Sequence, residues 1–529
     1  MRNNSNNQGI YWAWFSALLL LLLGIYFLTK TVKHPIGDFA NYYYASQLWL
    51  EGDFDERVYD PYSFNQLANQ RSPETVFVNY TPVPPVSVLL YSPFALIKDI
   101  YWAKFYFGLI GLLLFIVAYC LLLRHLKLEH QALLLLAPLI FYMPLLNNFY
   151  QGQSYLYVLA CLLEAYRQWG RHRIYGAAIL WSVAIAMKIF PGIVLLFLFF
   201  QRDKRTCWLT FLISSFLSFS TYLFLPPMVT TDYFSYILPR LFQGEIHNPF
   251  AILFQSMPVL LKSCFVKDQL YNPEPFMHLP ILAIVFHGLF QCMVLGGTFL
   301  VLRMKNVPAI LHFALVLLAG NLLAAYGSSY SLLLLLPLFM AVLSWQKPGI
   351  ITTILLLFLL LFICNVPVYW LHDDPLLLQF PRLYAMLGLF VMLIWILRPT
   401  LDVKTVVFVG ILLFGKSLIV DFPQQKVGDY YLPNNNLGII HSYRYENDQL
   451  IFKHLNQNGL QENIFKTTDV IRPDKEVYLS GNQIYYRGRQ ISDSKGQKRS
   501  PMRLNEDEVI YLSDEGRGVG FYTLRRMAL

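Results

Sequence analysis

The sequence predicts an all-α polytopic membrane protein that ends in a small β-rich domain, and three observations predict it. Of 529 residues, 56% are hydrophobic and only 14% charged, too few charges to cover the surfaces a soluble chain of this length would expose. Ile10 to Thr29 and Tyr101 to Leu123 are apolar runs long enough to cross about 30 Å of hydrocarbon. From residue 421 onward the character changes, with fifteen Lys or Arg and fourteen Asp or Glu. The net charge of +9 then bears on topology rather than on nucleic acid, since cytoplasmic loops of membrane proteins collect Lys and Arg.

Polar breaks divide residues 1–420 into about thirteen membrane segments, near 10–29, 101–123, 131–146, 153–166, 174–187, 189–200, 206–226, 279–302, 308–326, 330–345, 349–370, 382–397 and 404–420. The first is read as a retained span, because its apolar run exceeds a signal core and no small-residue cleavage site follows Leu28. Loops 124–130, 167–173, 201–205, 303–307, 346–348 and 398–404 hold thirteen Lys or Arg, whereas the alternate set (147–152, the turn at 188, 327–329 and 371–381) holds only Lys188. The bias predicts a cytoplasmic N-terminus and an extracytoplasmic tail. The stretches 174–187 and 189–200 are each short for a crossing and meet at Lys188-Ile189-Phe190-Pro191-Gly192. Two short helices meeting at a tip, beside a polar cavity on the outer side, fit them better.

Segments 30–100 and 227–278 are expected outside, as short interfacial helices rich in Tyr, Phe, Pro and Asn. Val86 to Ile97 is apolar but too short to span, so it is expected to be interfacial or re-entrant. In 421–529, alternating runs such as Glu476-Val477-Tyr478-Leu479 and Gln483-Ile484-Tyr485-Tyr486, punctuated by Gly481-Asn482 and Asp514-Glu515-Gly516, read as strands and turns. The six cysteines form no CxxC pair and fall mostly in apolar runs, as small core residues do.

Four outer stretches could carry chemistry. In His34-Pro35-Ile36-Gly37-Asp38-Phe39-Ala40-Asn41-Tyr42, Asp38 lies just past a span among aromatics; it fits a helix N-cap and equally a general base whose pKa partial burial raises. Asn79-Tyr80-Thr81-Pro82-Val83-Pro84-Pro85 could be a rigid turn aiming Asn79 and Tyr80 at a cavity, or an ordinary membrane-entry turn. The amide cluster Asn147-Asn148-Phe149-Tyr150-Gln151-Gly152-Gln153-Ser154 offers paired donors and acceptors suited to sugars, with Asn147, Gln151 and Gln153 as candidates. Lys188, a lone cation against the charge bias, suits a phosphate at the membrane surface, with snorkelling as the alternative. Arg240, His247 and the Tyr326–Tyr330 stretch are weaker candidates on the same side. His372-Asp373-Asp374 is a poor metal site by itself, so no metal residue is assigned. No P-loop, GxGxxG, HExxH or GxSxG pattern appears, and the short cytoplasmic loops offer no nucleotide domain. A substrate delivered from the membrane or the outside fits that constraint.

Gly37-Asp38-Phe39-Ala40-Asn41-Tyr42-Tyr43-Tyr44-Ala45, Leu50-Glu51-Gly52, Val58-Tyr59, Tyr80 with Pro84-Pro85, Gly152-Gln153-Ser154 and Ala186-Met187-Lys188-Ile189-Phe190-Pro191 follow one another in order. In this the sequence resembles the polyprenol-phosphate-sugar glycosyltransferases of the C-type membrane fold, nearest to family 87, the group with bacterial mannosyltransferases. The resemblance covers roughly residues 10–400. It implies a bacterial cytoplasmic (inner) membrane enzyme that transfers a sugar, with inversion, from a polyprenyl phosphate to a glycan or glycolipid acceptor on the outer side.

Asp38 matches the family's acidic residue after the first span, which would deprotonate the acceptor hydroxyl. Lys188 matches its lysine before proline, which would hold the donor phosphate, with Arg240 as a second phosphate contact. Tyr42, Asn79, Tyr80, Asn147, Gln151, Gln153, His247, Tyr326 and Tyr330 are expected to line the substrate. No cofactor is expected, although a divalent cation is possible; no nucleic-acid partner is expected. The chain departs from the family at Ala325-Tyr326-Gly327-Ser328-Ser329-Tyr330-Ser331, where members often carry Trp and His. The tail after 420 lies outside the resemblance. The rivals are a transporter or flippase for lipid-linked sugars and a polymerase-like cell-wall enzyme. A secondary transporter should show paired halves with interrupted helices in matching positions, and none is visible.

Overall fold

The computed structural model describes residues 2–33, 35–345, 348–400, 405, 407, 410–411, 429–431, 438–447, 449–456, 459–466, 476–494 and 496–529. Four of its helices are long and apolar enough to cross a membrane: Tyr11–Thr31, Ile100–Leu123, Lys204–Phe224 and Pro280–Leu302. Gln131–Ile140 and Tyr142–Gln151, bent by 44°, are together long and apolar enough for a fifth, as one broken span or a re-entrant loop. The remaining apolar helices of the bundle have 10–17 residues. Eleven of the thirteen expected segments therefore coincide with apolar helices, and a twelfth, 153–166, with the less apolar Tyr155–Gly170; length and composition qualify four as crossings, or five with the bent pair. The thirteenth, 404–420, falls almost wholly outside the described residues, as does the expected boundary at 420/421.

Burial follows composition. Ala309–Leu323 is buried from Ile310 to Leu322, as a helix apolar on every face should be when it sits at the centre of a bundle. Lys204–Phe224 is instead 11% buried, presenting Trp208, Phe211, Leu212 and Phe216 outward, as a lipid-facing helix does. Ile100–Leu123 packs on the first helix and on Tyr155–Gly170, which packs on Ile174–Met187.

The expected break at Lys188 is present. Ile174–Met187 ends there, Lys188 is extended (φ −148°, ψ 123°), and the chain resumes at Phe190 in a 3-10 turn containing Pro191. Pro191 cannot supply the N–H that would continue the first helix. The outer stretch 30–100 differs from expectation. Phe39–Glu51 is not a surface-lying helix: Phe39 through Ser46 and Leu48 are buried. Val86–Ala95 packs on it, with Ser46 Oγ donating to the Val88 carbonyl at 3.0 Å and the Tyr42 and Tyr91 rings 4.8 Å apart. Burying these rings against protein removes a large apolar area from water and lets them pair with one another.

The C-terminal region is β-rich, as expected. Its strands are β1 (Asp429–Tyr430), β2 (Ile439–Glu446), β3 (Gln449–Asn456), β4 (Gly459–Lys466), β5 (Val477–Ser480), β6 (Gln483–Tyr486), β7 (Arg489–Gln490), β8 (Lys498–Arg503), β9 (Glu508–Ser513) and β10 (Thr523–Ala528). They form three antiparallel sheets ordered β1-β10-β9-β8, β2-β3-β4 and β5-β6-β7. Alternate residues such as Leu450, Phe452, Ile510, Leu512 and Leu524 fill a core between the first two. Gly481-Asn482 makes the β5–β6 turn.

This domain docks on residues 30–100 and 227–278. Arg499 Nη1 donates to Asp60 at 2.7 Å, Tyr430 Oη to Asp268 at 2.8 Å, and Arg240 Nη1 to Asp514 at 2.8 Å. Residues 30–100, 227–278 and the β-rich domain thus share one end of the bundle.

Candidate active site

Two glycines with positive φ make the site possible. Gly37 (φ 66°) ends the link from the first helix, and Gly152 (φ 65°) ends the helix Tyr142–Gln151. A Cβ on Gly37 would lie 2.9 Å from Gln151, and one on Gly152 would lie 2.5 Å from Phe39 Cβ. The two turns therefore interlock, and only glycine tolerates both the conformation and the approach. Lys104, in the first turns of Ile100–Leu123 and 2% exposed, fastens them. Its Nζ donates to the carbonyls of Thr31, Pro35 and Tyr150 at 3.0, 2.6 and 2.9 Å.

This brings Asp38 to Gln153. Asp38 occupies the N-cap position of Phe39–Glu51, but its side chain makes no capping hydrogen bond. It accepts instead from Gln153 Nε2 at 2.5 Å. Gln153 Oε1 accepts from Tyr42 Oη at 2.9 Å and from Lys188 Nζ at 3.4 Å, while Lys188 Nζ also donates to Tyr42 Oη at 3.2 Å. The ammonium lies 5.7 Å from the Tyr42 ring centroid and 5.4 Å from that of Tyr155, within cation–π range. Tyr330 completes this wall, 5.3 Å from Tyr155 ring to ring and within electrostatic reach of Asp38. Burial pushes the Asp38 carboxyl above the usual carboxylate range, against the Gln153 hydrogen bond and the charges of Lys188 and Lys104.

A second group adjoins the first. The Asn79 backbone N–H donates to Asn41 Oδ1 at 2.7 Å. Its amide nitrogen faces His247 Nδ1 at 3.5 Å. Burial pulls the His247 imidazole down to about 4, so it is neutral near pH 7 and able to accept there. The backbone N–H groups of Ile246 and His247 both donate to Tyr326 Oη, at 2.6 and 3.0 Å.

The other expected residues lie elsewhere. Tyr80 is buried among Phe54, Tyr59 and Phe64. Asn147 donates to Ser329 Oγ at 2.7 Å, and Gln151 packs on Gly37. Arg240, expected at the donor phosphate, is instead held in the domain interface by Asp514, Tyr236 and Glu245. The charge of this buried guanidinium is thus balanced by carboxylates within the chain. His372 and Asp373 are exposed, 3.2 Å apart, and among the described residues no three His, Cys, Asp or Glu side chains are gathered as metal ligands would be. Lys104 and the linking role of Gln153 were not legible in the sequence. The only signal for Lys104 was a lone charge in the first turn of a span.

A model of glycosyltransferase family 87 matches residues 80–324, a stretch that includes Gln153, Lys188, His247 and Lys104; Asp38 precedes it. No curated protein and no solved structure matches the chain. The match, over a little under half of the chain, supports glycosyltransferase activity for the protein.

Proposed function

We propose that this protein moves a sugar, mannose or another hexose or pentose, from a polyprenyl-phosphate donor to a hydroxyl of a cell-envelope glycan or lipid, with inversion, on the extracytoplasmic side of a bacterial cytoplasmic membrane. The observation that carries the reading is the chain Asp38–Gln153–Lys188, which holds a carboxylate and an ammonium on one amide within a single site. In the proposed step the acceptor oxygen forms a bond to the anomeric carbon as the bond from that carbon to the phosphate oxygen breaks. The hydroxyl proton passes to Asp38, and the electron pair of the broken bond leaves with the phosphate.

The donor is a phosphodiester and the product a phosphomonoester, so negative charge grows on the leaving group. A fixed ammonium at Lys188 acts where that charge develops. Tyr42 and Tyr155, against the same ammonium, keep it oriented and shielded from water, which strengthens its field. The raised Asp38 pKa suits a base that works near neutral pH.

The test is sugar transfer by the protein in lipid, using a panel of polyprenyl-phosphate sugars and envelope acceptors. Asp38→Asn keeps the shape and removes the base. It should lower turnover by about 10²–10⁴-fold while donor binding persists. Consumption of no donor by the wild type, with lipid-linked sugar changing leaflet equally in both proteins, would overturn the proposal.

A further inference from the structure

Where the β-rich domain meets residues 30–100 and 227–278, the contact is tight in one place and hollow in the next. Gly518 (φ 130°) and Gly520 (φ 75°) bring its backbone so close that a Cβ would lie 2.7 Å from the Ile246 carbonyl oxygen and 2.3 Å from Pro61. Beside them lies a cavity of about 250 Å³. The hollow opens to the surrounding solvent, so a molecule from solution can enter it. It is just under the roughly 300–1,000 Å³ of small-molecule sites, which suits a short saccharide rather than a lipid chain.

The lining sets the chemistry. Glu56, Asp60 and Asp232 face Arg57 and Arg499, a near balance that favours neither an anion such as the donor phosphate nor a cation. Tyr59, Tyr236 and Tyr522 add aromatic surface, and His441 is stacked on Tyr62 at 4.2 Å. Flat rings beside mixed donors and acceptors are what a neutral sugar ring requires.

The cavity is also placed to serve the reaction. The Tyr59 and Tyr80 rings are 5.8 Å apart, and Tyr80 in turn lies within electrostatic reach of Tyr42. A run of tyrosine rings thus leads from the cavity wall toward the Asp38 group.

We propose that this interdomain cavity binds an uncharged saccharide segment, the part of the glycosyl acceptor that lies away from the reacting hydroxyl. That the saccharide belongs to the acceptor rests on the transferase reading; that the cavity binds it does not. The experiment measures binding of short neutral gluco- and manno-oligosaccharides to the full chain in lipid nanodiscs, beside sugar transfer by the same preparations. Wild type and Asp38→Asn should bind with the same Kd. Ser63→Trp, which fills the cavity, should abolish binding. Gln497→Leu removes one polar wall group and should weaken binding about tenfold, the scale of one lost hydrogen bond; it decides the matter alone if Ser63→Trp does not fold. Binding that survives both changes, or is lost in Asp38→Asn instead, overturns the site. Absence of oligosaccharide binding by a wild type that still transfers sugar overturns it too, and leaves the transferase reading standing. Binding as expected in a protein that transfers from no donor upholds the site and removes the acceptor assignment.

Discussion

One amide joins Asp38 to Lys188. Gln153 donates to the carboxylate at 2.5 Å and accepts from the ammonium at 3.4 Å, so the two charges orient a common dipole. A direct ion pair would bind the base and satisfy the cation. The intervening amide leaves each with capacity for a substrate atom.

The acid limb of the pH profile should reflect Asp38. A base acts only when deprotonated, and burial raises this carboxyl by more than Gln153, Lys188 and Lys104 lower it. Transfer should therefore be lost as pH falls through a pKa above the ordinary Asp value of about 3.9. Gln153→Leu removes a hydrogen bond that favours the charged form, so its limb should move further up. Profiles of kcat/KM for both proteins check this, and coincident limbs would remove Gln153 from the role.

Lys188→Met should reduce kcat more than it weakens donor binding, by about 10²–10³-fold if the ammonium meets charge that grows in the transition state. Lys188→Arg should recover part of the rate. A change confined to KM would mean that the lysine binds donor and transition state alike.

Gly152→Ala should cost about 1–3 kcal/mol for the left-handed backbone alone, with more from the approach to Phe39. Because Gln153 follows directly, activity should fall as well as thermal stability. Gly388→Ala serves as the control, since its Cβ would meet no atom within 4 Å and it lies within the helix Pro381–Leu397.

Arg240→Met leaves the buried Asp514 carboxylate without its ion-pair partner, and Asp514→Leu leaves Arg240 only the longer 3.4 Å pair with Glu245. Either should destabilise domain docking by about 3–5 kcal/mol, while the double variant recovers much of the loss. Protease release of the β-rich domain from the membrane part measures both, and additive effects would show that the pair is not coupled.

Much of the arrangement was legible because it is written locally. Lys188 stood out as one charge on a loop set otherwise free of Lys and Arg, and Pro191 marked the break beside it. Asp38 was legible as an acid among aromatics, but its two readings were not separable. The N-cap position is occupied while the carboxylate turns to Gln153, 115 residues away. Arg240 shows the same limit of local reading. As an outer cation it resembled a phosphate ligand, yet its carboxylate partner lies 274 residues on.

Composition, apolar run length and loop charge determined the membrane bundle, the broken segment at Lys188 and the β-rich tail, because hydrophobic burial and backbone satisfaction act on consecutive residues. Which side chains share a site was decided only in three dimensions. Lys104 meets the carbonyls of Thr31 and Pro35 across 73 and 69 residues, and Asn79 meets His247 across 168. Such contacts depend on how helices pack, and no spacing along the chain encodes the side chain that will lie opposite.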